Sequence, residues 1–163
     1  MDTDNRIYSR IFNSCNSFTV QVEVDIRFTL YGGTLDGSNV TATISGASVA
    51  VDKGTKFTMY GGTVKGGYAA VNSSGSYGCS GSVQVAGTFI LEGGTVSGGK
   101  SDNHGGNIYI TGTGAMEMNG GKVVDGMAAG AGKSGGNIYV EGKGKLTVTG
   151  GQITSLRKGS AAR

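Results

Sequence analysis

His104 is the only histidine of the chain, and Asp102 two residues before it makes the nearest approach to an acid–base pair. Such chemistry needs a positioned partner for the base, and a metal site needs three or four convergent donors. Neither set can be assembled from sequence neighbours, so a solvated loop histidine is the preferred reading and no metal or other cofactor is expected. The segment Gly130-Ala131-Gly132-Lys133-Ser134 has the flavour of a phosphate-binding loop. The glycine that motif requires five residues before Gly132 is Met127, and no helix follows to aim its dipole at a phosphate, so the reading is rejected. Clustered carboxylates would suit a polysaccharide lyase or hydrolase. Here Asp36, Asp52, Glu92, Glu117 and Asp125 fall at unrelated positions, leaving a glycan-cleaving enzyme as the alternative to a non-enzymatic role.

The tyrosines offer binding chemistry instead. Tyr31 and Tyr60 occupy equivalent places in the pattern described below, as do Tyr109 and Tyr139, and both pairs are expected in exposed columns. Exposed aromatic rings give sugar rings an apolar surface, although the same ladders also stabilise sheets with no ligand present. Three longer connections, around residues 67–81, 100–104 and 127–134, are expected to stack into one edge displaying Tyr68, Tyr77, Asp102 and His104, which ranks ahead of the tyrosine columns as the first candidate binding surface. Asn107 and Asn137 are expected to form a structural amide ladder between neighbouring coils. Ice binding is a second alternative, because Thr34, Thr63 and Thr95 align, but that column continues with Lys122 and Gln152.

The elements that position these residues are set by an internal repeat. With 33 glycines in 163 residues the chain would read as low-complexity were its apolar residues not gathered in short alternating runs. Five segments align on a glycine pair, at Gly32-Gly33, Gly61-Gly62, Gly93-Gly94, Gly120-Gly121 and Gly150-Gly151, with first glycines 29, 32, 27 and 30 residues apart. A period near 30 with three short strands inside it predicts an all-β, right-handed parallel β-helix (solenoid) of about five coils. Alternation turns three columns inward. The first holds Val49/Val51, Val83/Val85, Ile108/Ile110 and Ile138/Val140, with Val20/Val22 as a less regular first member. The second runs from Phe28/Leu30 through Phe57/Met59, Phe89/Leu91 and Met116/Met118 to Leu146/Val148, and the third is Leu35, Val64, Val96, Val123 and Ile153. The absence of proline fits strands that must donate to both neighbours.

This Φ-x-Φ followed by Gly-Gly-[Thr/Lys/Gln]-[Leu/Val/Ile], with Gly-Gly-Asn-Ile-Tyr at 105–109 and 135–139, resembles the repeats of bacterial right-handed parallel β-helix proteins of the surface and adhesin-like type. The resemblance covers residues 18–155. It implies a cell-surface or extracellular setting and a structural or adhesive role, although no secretory signal is visible at the start of the sequence.

Residues 1–17 are expected to form an N-terminal cap or irregular segment, 18–155 the β-helix, and 156–163 a tail. Cys15 and Cys79 sit two coil steps apart, about 10 Å, which is beyond disulfide reach, so both are expected as free thiols. A formal charge of +3 without a basic run excludes nucleic acid as the expected partner. No apolar stretch approaches the ~18 residues that would insert in a membrane. The function expected is a non-enzymatic module presenting loops or a rigid face to a glycan or protein partner, and self-associating through an open C-terminal coil.

Overall fold

The computed structural model describes residues 20–22, 27–43, 46–71 and 80–154. The expected cap over residues 1–17, the tail at 156–163, Tyr77, Cys15 and Cys79 lie outside the described residues.

The chain winds through the same short strands again and again. A first circuit contains β1 (Val20–Val22), β2 (Arg27–Leu30), β3 (Thr34–Asp36) and β4 (Thr41–Ala42). A second contains β5 (Val49–Val51), β6 (Lys56–Met59), β7 (Thr63–Lys65) and β8 (Tyr68–Ala69). A third contains β9 (Val83–Val85), β10 (Thr88–Leu91), β11 (Thr95–Ser97) and β12 (Lys100–Ser101). The fourth contains β13 (Ile108–Ile110), β14 (Ala115–Met118), β15 (Lys122–Val124) and β16 (Met127–Ala128), and the last β17 (Ile138–Val140), β18 (Lys145–Val148) and β19 (Gln152–Thr154). Every strand pairs in parallel with its counterpart one circuit away, giving three five-stranded sheets and one four-stranded sheet. The result is a parallel β-solenoid.

Sequence periodicity predicted three strands per coil, and the structure has four. The extra sheet stacks β4, β8, β12 and β16, each of two residues. Its inward column is Ala42, Ala69, Ser101 and Ala128, and its outward column is Thr41, Tyr68, Lys100 and Met127. Small inward side chains and two-residue length leave no hydrophobic alternation to detect, which is why these strands read as loops.

The three predicted inward columns meet as one core. Phe57, Met59, Val64, Val83, Val85, Phe89, Leu91, Val96, Ile108, Ile110, Met118 and Val123 are wholly shielded from solvent, and Phe28, Leu30, Leu35, Ile138 and Leu146 pack against them half-buried. Burying one such side chain contributes on the order of 1.5–3 kcal/mol before entropy. Identical register places like on like: Phe57 and Phe89 stack at 4.9 Å between ring centroids with their planes 5° apart, and Phe28 extends the pile at 5.3 Å.

The Gly-Gly corner between the second and third sheets is fixed by backbone contact. The second glycine of each pair has positive φ, from +72° at Gly121 to +86° at Gly94 and Gly151. A Cβ on the first glycine Gly61 would sit 2.6 Å from the carbonyl oxygen of Tyr31 in the coil beneath. Coils close to strand-pairing distance only because these positions carry no side chain.

A buried polar ladder ties the start of the first sheet to the corner after the third. Asn107 Oδ1 accepts from the Gly99 N–H at 2.8 Å and from Ser82 Oγ at 3.1 Å. Its Nδ2 donates to the Val124 carbonyl at 2.6 Å and to Asn137 Oδ1 at 2.8 Å. Asn137 repeats the motif one coil on, accepting from Gly126 N–H at 2.9 Å and donating to the Thr154 carbonyl at 2.8 Å. The expected amide ladder is thus present, and Ser48 and Ser82 occupy the same rung in earlier coils.

Candidate functional site

The rim where the second sheet turns into the Gly-Gly corner carries the first candidate column. Pairing of Leu30 with Met59, Leu91, Met118 and Val148 sets the next residues, Tyr31, Tyr60, Glu92, Asn119 and Thr149, one above another. Tyr31 is 77% exposed and Tyr60 53%. Their rings lie 5.3 Å apart between centroids and 8° from coplanar. Each ring turns one face to the other in this stack, and the rest of both side chains stays open to solvent. The column continues as hydrogen-bonding groups: Asn119 Nδ2 donates to Glu92 Oε1 at 3.1 Å, and Thr149 Oγ1 donates to Asn119 Oδ1 at 2.7 Å.

Tyr109 and Tyr139 do not form the second exposed column that alternation predicts. They are adjacent in register, with ring centroids 5.3 Å apart and planes tilted by 38°. Tyr109, however, is only 7% exposed. The turn before each strand folds back over it, so that Gly105 sits against the Ile108 carbonyl and the Tyr109 backbone. Strand alternation alone cannot register cover of this kind, because it assigns a face and not what lies on it.

The third candidate region, the edge of the fourth sheet, is partly assembled. Tyr68 belongs to β8 and not to a loop, and its hydroxyl donates to Asp102 Oδ2 just beyond β12. Lys100 Nζ sits 4.9 Å from the Tyr68 ring centroid. The hydrogen bond from the Tyr68 hydroxyl to the Asp102 carboxylate raises the Tyr68 pKa, with desolvation and the carboxylate charge acting in the same direction.

His104 goes elsewhere. Its ring stacks on Tyr139 at 4.1 Å and 16°, and Nδ1 accepts the Ser134 backbone N–H at 2.9 Å with Ser134 Oγ at 3.2 Å. Asp102 and His104 are therefore not brought together as an acid–base pair: one is turned to Tyr68 and the other to Ser134 and Tyr139. A base whose lone pair already accepts a backbone N–H is poorly placed to take a proton from Ser134 Oγ. These contacts join neighbouring coils, the role that cross-strand pairs play in any sheet.

Two features of the edge had no sequence signal. One is Lys100 over Tyr68, which depends on the unrecognised fourth sheet. The other is Ser134 as partner of His104, 30 residues away and visible only once coils are in register. Among the described residues no group of three or more His, Cys, Asp or Glu side chains gathers as a metal site, and no helix is long and apolar enough to cross a membrane.

The Tyr31–Tyr60 column is thus the candidate surface whose aromatic rings remain in solvent, while Tyr68, Tyr109 and Tyr139 are engaged between coils. Comparison with protein-family models, with curated proteins and with solved structures gives no match, so the assignment of this chain as a parallel β-solenoid rests on its own strand pairing.

Proposed function

We propose that the chain is a non-catalytic adhesive module, a rigid solenoid of the surface type that presents the Tyr31–Tyr60 rim to a glycan. The observation that carries this reading is the exposure of two parallel tyrosine rings on a fixed backbone, followed in register by a carboxylate, an amide and a hydroxyl. Aromatic faces take the apolar C–H face of a sugar ring, and the polar groups above them offer hydrogen bonds to its hydroxyls. A protein partner would also use exposed tyrosines, but a strip that runs from rings to polar groups along one line suits a polyhydroxylated ligand better than a compact hydrophobic hot spot.

A glycan array probed with the parent chain and with Tyr31→Ala and Tyr60→Ala variants tests the proposal. The parent is expected to retain a defined set of glycans and both variants to lose it, with thermal midpoints unchanged because both side chains lie outside the core. Equal signal from parent and variants would remove the rim from consideration.

A second reading, self-association, is favoured by the last described coil. There the inward-column residues Val140, Val148 and Ile153 are 36%, 50% and 43% exposed. A second copy adding its strands to β17, β18 and β19 would cover them and satisfy the strand edges. Light scattering over a hundredfold concentration range is expected to show growing mass for the parent and a constant mass for Val148→Lys. A constant mass for both would dismiss self-association.

A further inference from the structure

The Tyr31–Tyr60 rim does not stand alone. Three residues further along each coil, on the outward face of the third sheet, register stacks Thr34, Thr63, Thr95, Lys122 and Gln152. Between the two columns lie only the glycine pairs, so a strip of bare backbone runs along the solenoid axis with a wall of side chains on each side. At each corner the stacking bonds skip one group. Gly61 and Thr63 donate to the coil beneath, as do Gly93 and Thr95, and Gly120 and Lys122. The N–H groups of Gly62, Gly94 and Gly121 find no acceptor among the described residues. Each of these corners thus holds one backbone donor without a protein acceptor among the described residues, and a donor left so needs a polar partner from outside the chain.

We infer that this strip is a track for an extended, uncharged β-1,4-linked polysaccharide lying parallel to the solenoid axis; the inference rests on the glycan-binding reading of the Tyr31–Tyr60 rim and extends it to a chain class and a direction. Three observations converge on that ligand. The walls and the donors repeat once per coil, the strand spacing of ~4.8 Å, and a flat β-1,4-linked pyranose chain advances by about one such step per ring. The chemistry changes along the line from two aromatic rings to Glu92, Asn119 and Thr149, which matches a ribbon whose rings carry apolar faces and hydroxyl edges together. The charged side chains bordering the strip are Glu92 on one wall and Lys122 on the other, one coil apart and opposite in sign. They cancel, so the track has no net charge with which to attract an anionic polymer.

A chain-length series distinguishes the track from an isolated tyrosine platform. Isothermal titration calorimetry of the parent against cello-oligosaccharides from cellobiose to cellohexaose is expected to show affinity rising with each added ring as far as the pentaose and then levelling. Asn119→Ala is expected to lower cellohexaose affinity by about three- to tenfold, the worth of one or two hydrogen bonds, and to leave cellobiose affinity unchanged. Tyr60→Ala is expected to weaken both ligands by about tenfold. Affinity that levels at cellobiose, together with an Asn119→Ala variant equal to the parent on cellohexaose, overturns the track while leaving the tyrosine reading intact. Tighter binding of polygalacturonate than of cellohexaose overturns the uncharged class. Failure of every cello-oligosaccharide to bind, alongside Tyr-dependent signal on the glycan array, overturns the β-1,4 track and spares the broader proposal.

Discussion

The first three coils and the last two solve the same stacking problem with different chemistry. In the earlier coils Phe28, Phe57 and Phe89 pile up inside the second sheet, while the described rungs beside the first sheet hold the hydroxyls of Ser48 and Ser82. Ser48 Oγ makes one bond there, to the Lys65 carbonyl at 2.6 Å. In the later coils the aromatic pile gives way to Met116 and Leu146, and the rung becomes Asn107 and Asn137. Asn107 makes four hydrogen bonds, linking the rung to the corner after the third sheet and to the next coil. A solenoid repeats the position and leaves the interaction free. Apolar stacking holds the coils where aromatics align, and a buried amide network holds them where they do not.

Removing the aromatic pile should produce the largest loss. Phe57 is wholly buried between two rings, so Phe57→Ala is expected to cost about 3–5 kcal/mol in chemical denaturation. Asn107→Ala comes next, at about 2–4 kcal/mol, because it strands the buried Gly99 N–H and removes three further bonds, to Ser82, the Val124 carbonyl and Asn137. The corresponding change in the earlier coils, Ser48→Ala, removes a single bond and should cost about 1 kcal/mol. If Ser48→Ala and Asn107→Ala prove equal, the contrast between the two halves is wrong.

The fourth-sheet edge adds smaller effects that report through pH. Tyr68→Phe loses the bond to Asp102 and is expected to cost about 1 kcal/mol or less. The Tyr68 pKa is raised by folding, so its contribution is fully present below the usual tyrosine pKa of ~10 and is lost as pH climbs through the higher folded value. Thermal midpoints of parent and Tyr68→Phe should therefore converge above about pH 10. Asp36 runs in the opposite sense. Hydrogen bonding from the Ser38 side chain, and then from the Ser38 backbone N–H at 2.9 Å, lowers the pKa of its carboxyl, and Lys65 Nζ at 3.5 Å acts in the same direction. Any stability it lends is present above the usual carboxylate pKa of ~3.9 and fades as pH falls through the folded value, a loss that Asp36→Asn should remove.

The smallest expected effect concerns the backbone. Asp125 has φ +58° at the corner where the preceding coil places Gly98 at +71°. Left-handed backbone disfavours L-residues by roughly 1–2 kcal/mol, less for Asp, and the entropy of glycine offsets part of that. Asp125→Gly should raise stability by less than about 1 kcal/mol.

What the sequence disclosed follows from where the repeat is strict. The inward columns are legible because Phe57, Phe89 and Met116 recur at fixed distance from a glycine pair and, Ile90 aside, alternate with polar residues. The exposed Tyr31–Tyr60 column follows from the same register. The fourth sheet was illegible because Ala69 and Ser101 carry no hydrophobic signal. The cover over Tyr109 and the diversion of His104 to Ser134 depend on turns whose path is set by tertiary packing, which periodicity does not encode. Asp102 and His104, two residues apart in sequence, part company for that reason.

The central claim is that the solvent-facing rim of the second sheet binds while the aromatic groups at the fourth-sheet edge hold coils together. Backbone chemical-shift mapping of the isotopically labelled chain during titration with cellohexaose tests it most directly. The account predicts perturbations that follow the axis through Tyr31, Tyr60, Glu92 and Asn119 and their neighbouring glycines, with Tyr68, Asp102 and His104 unchanged. Perturbations centred on Tyr68, Asp102 and His104, or a spectrum that does not respond at saturating glycan, would contradict it.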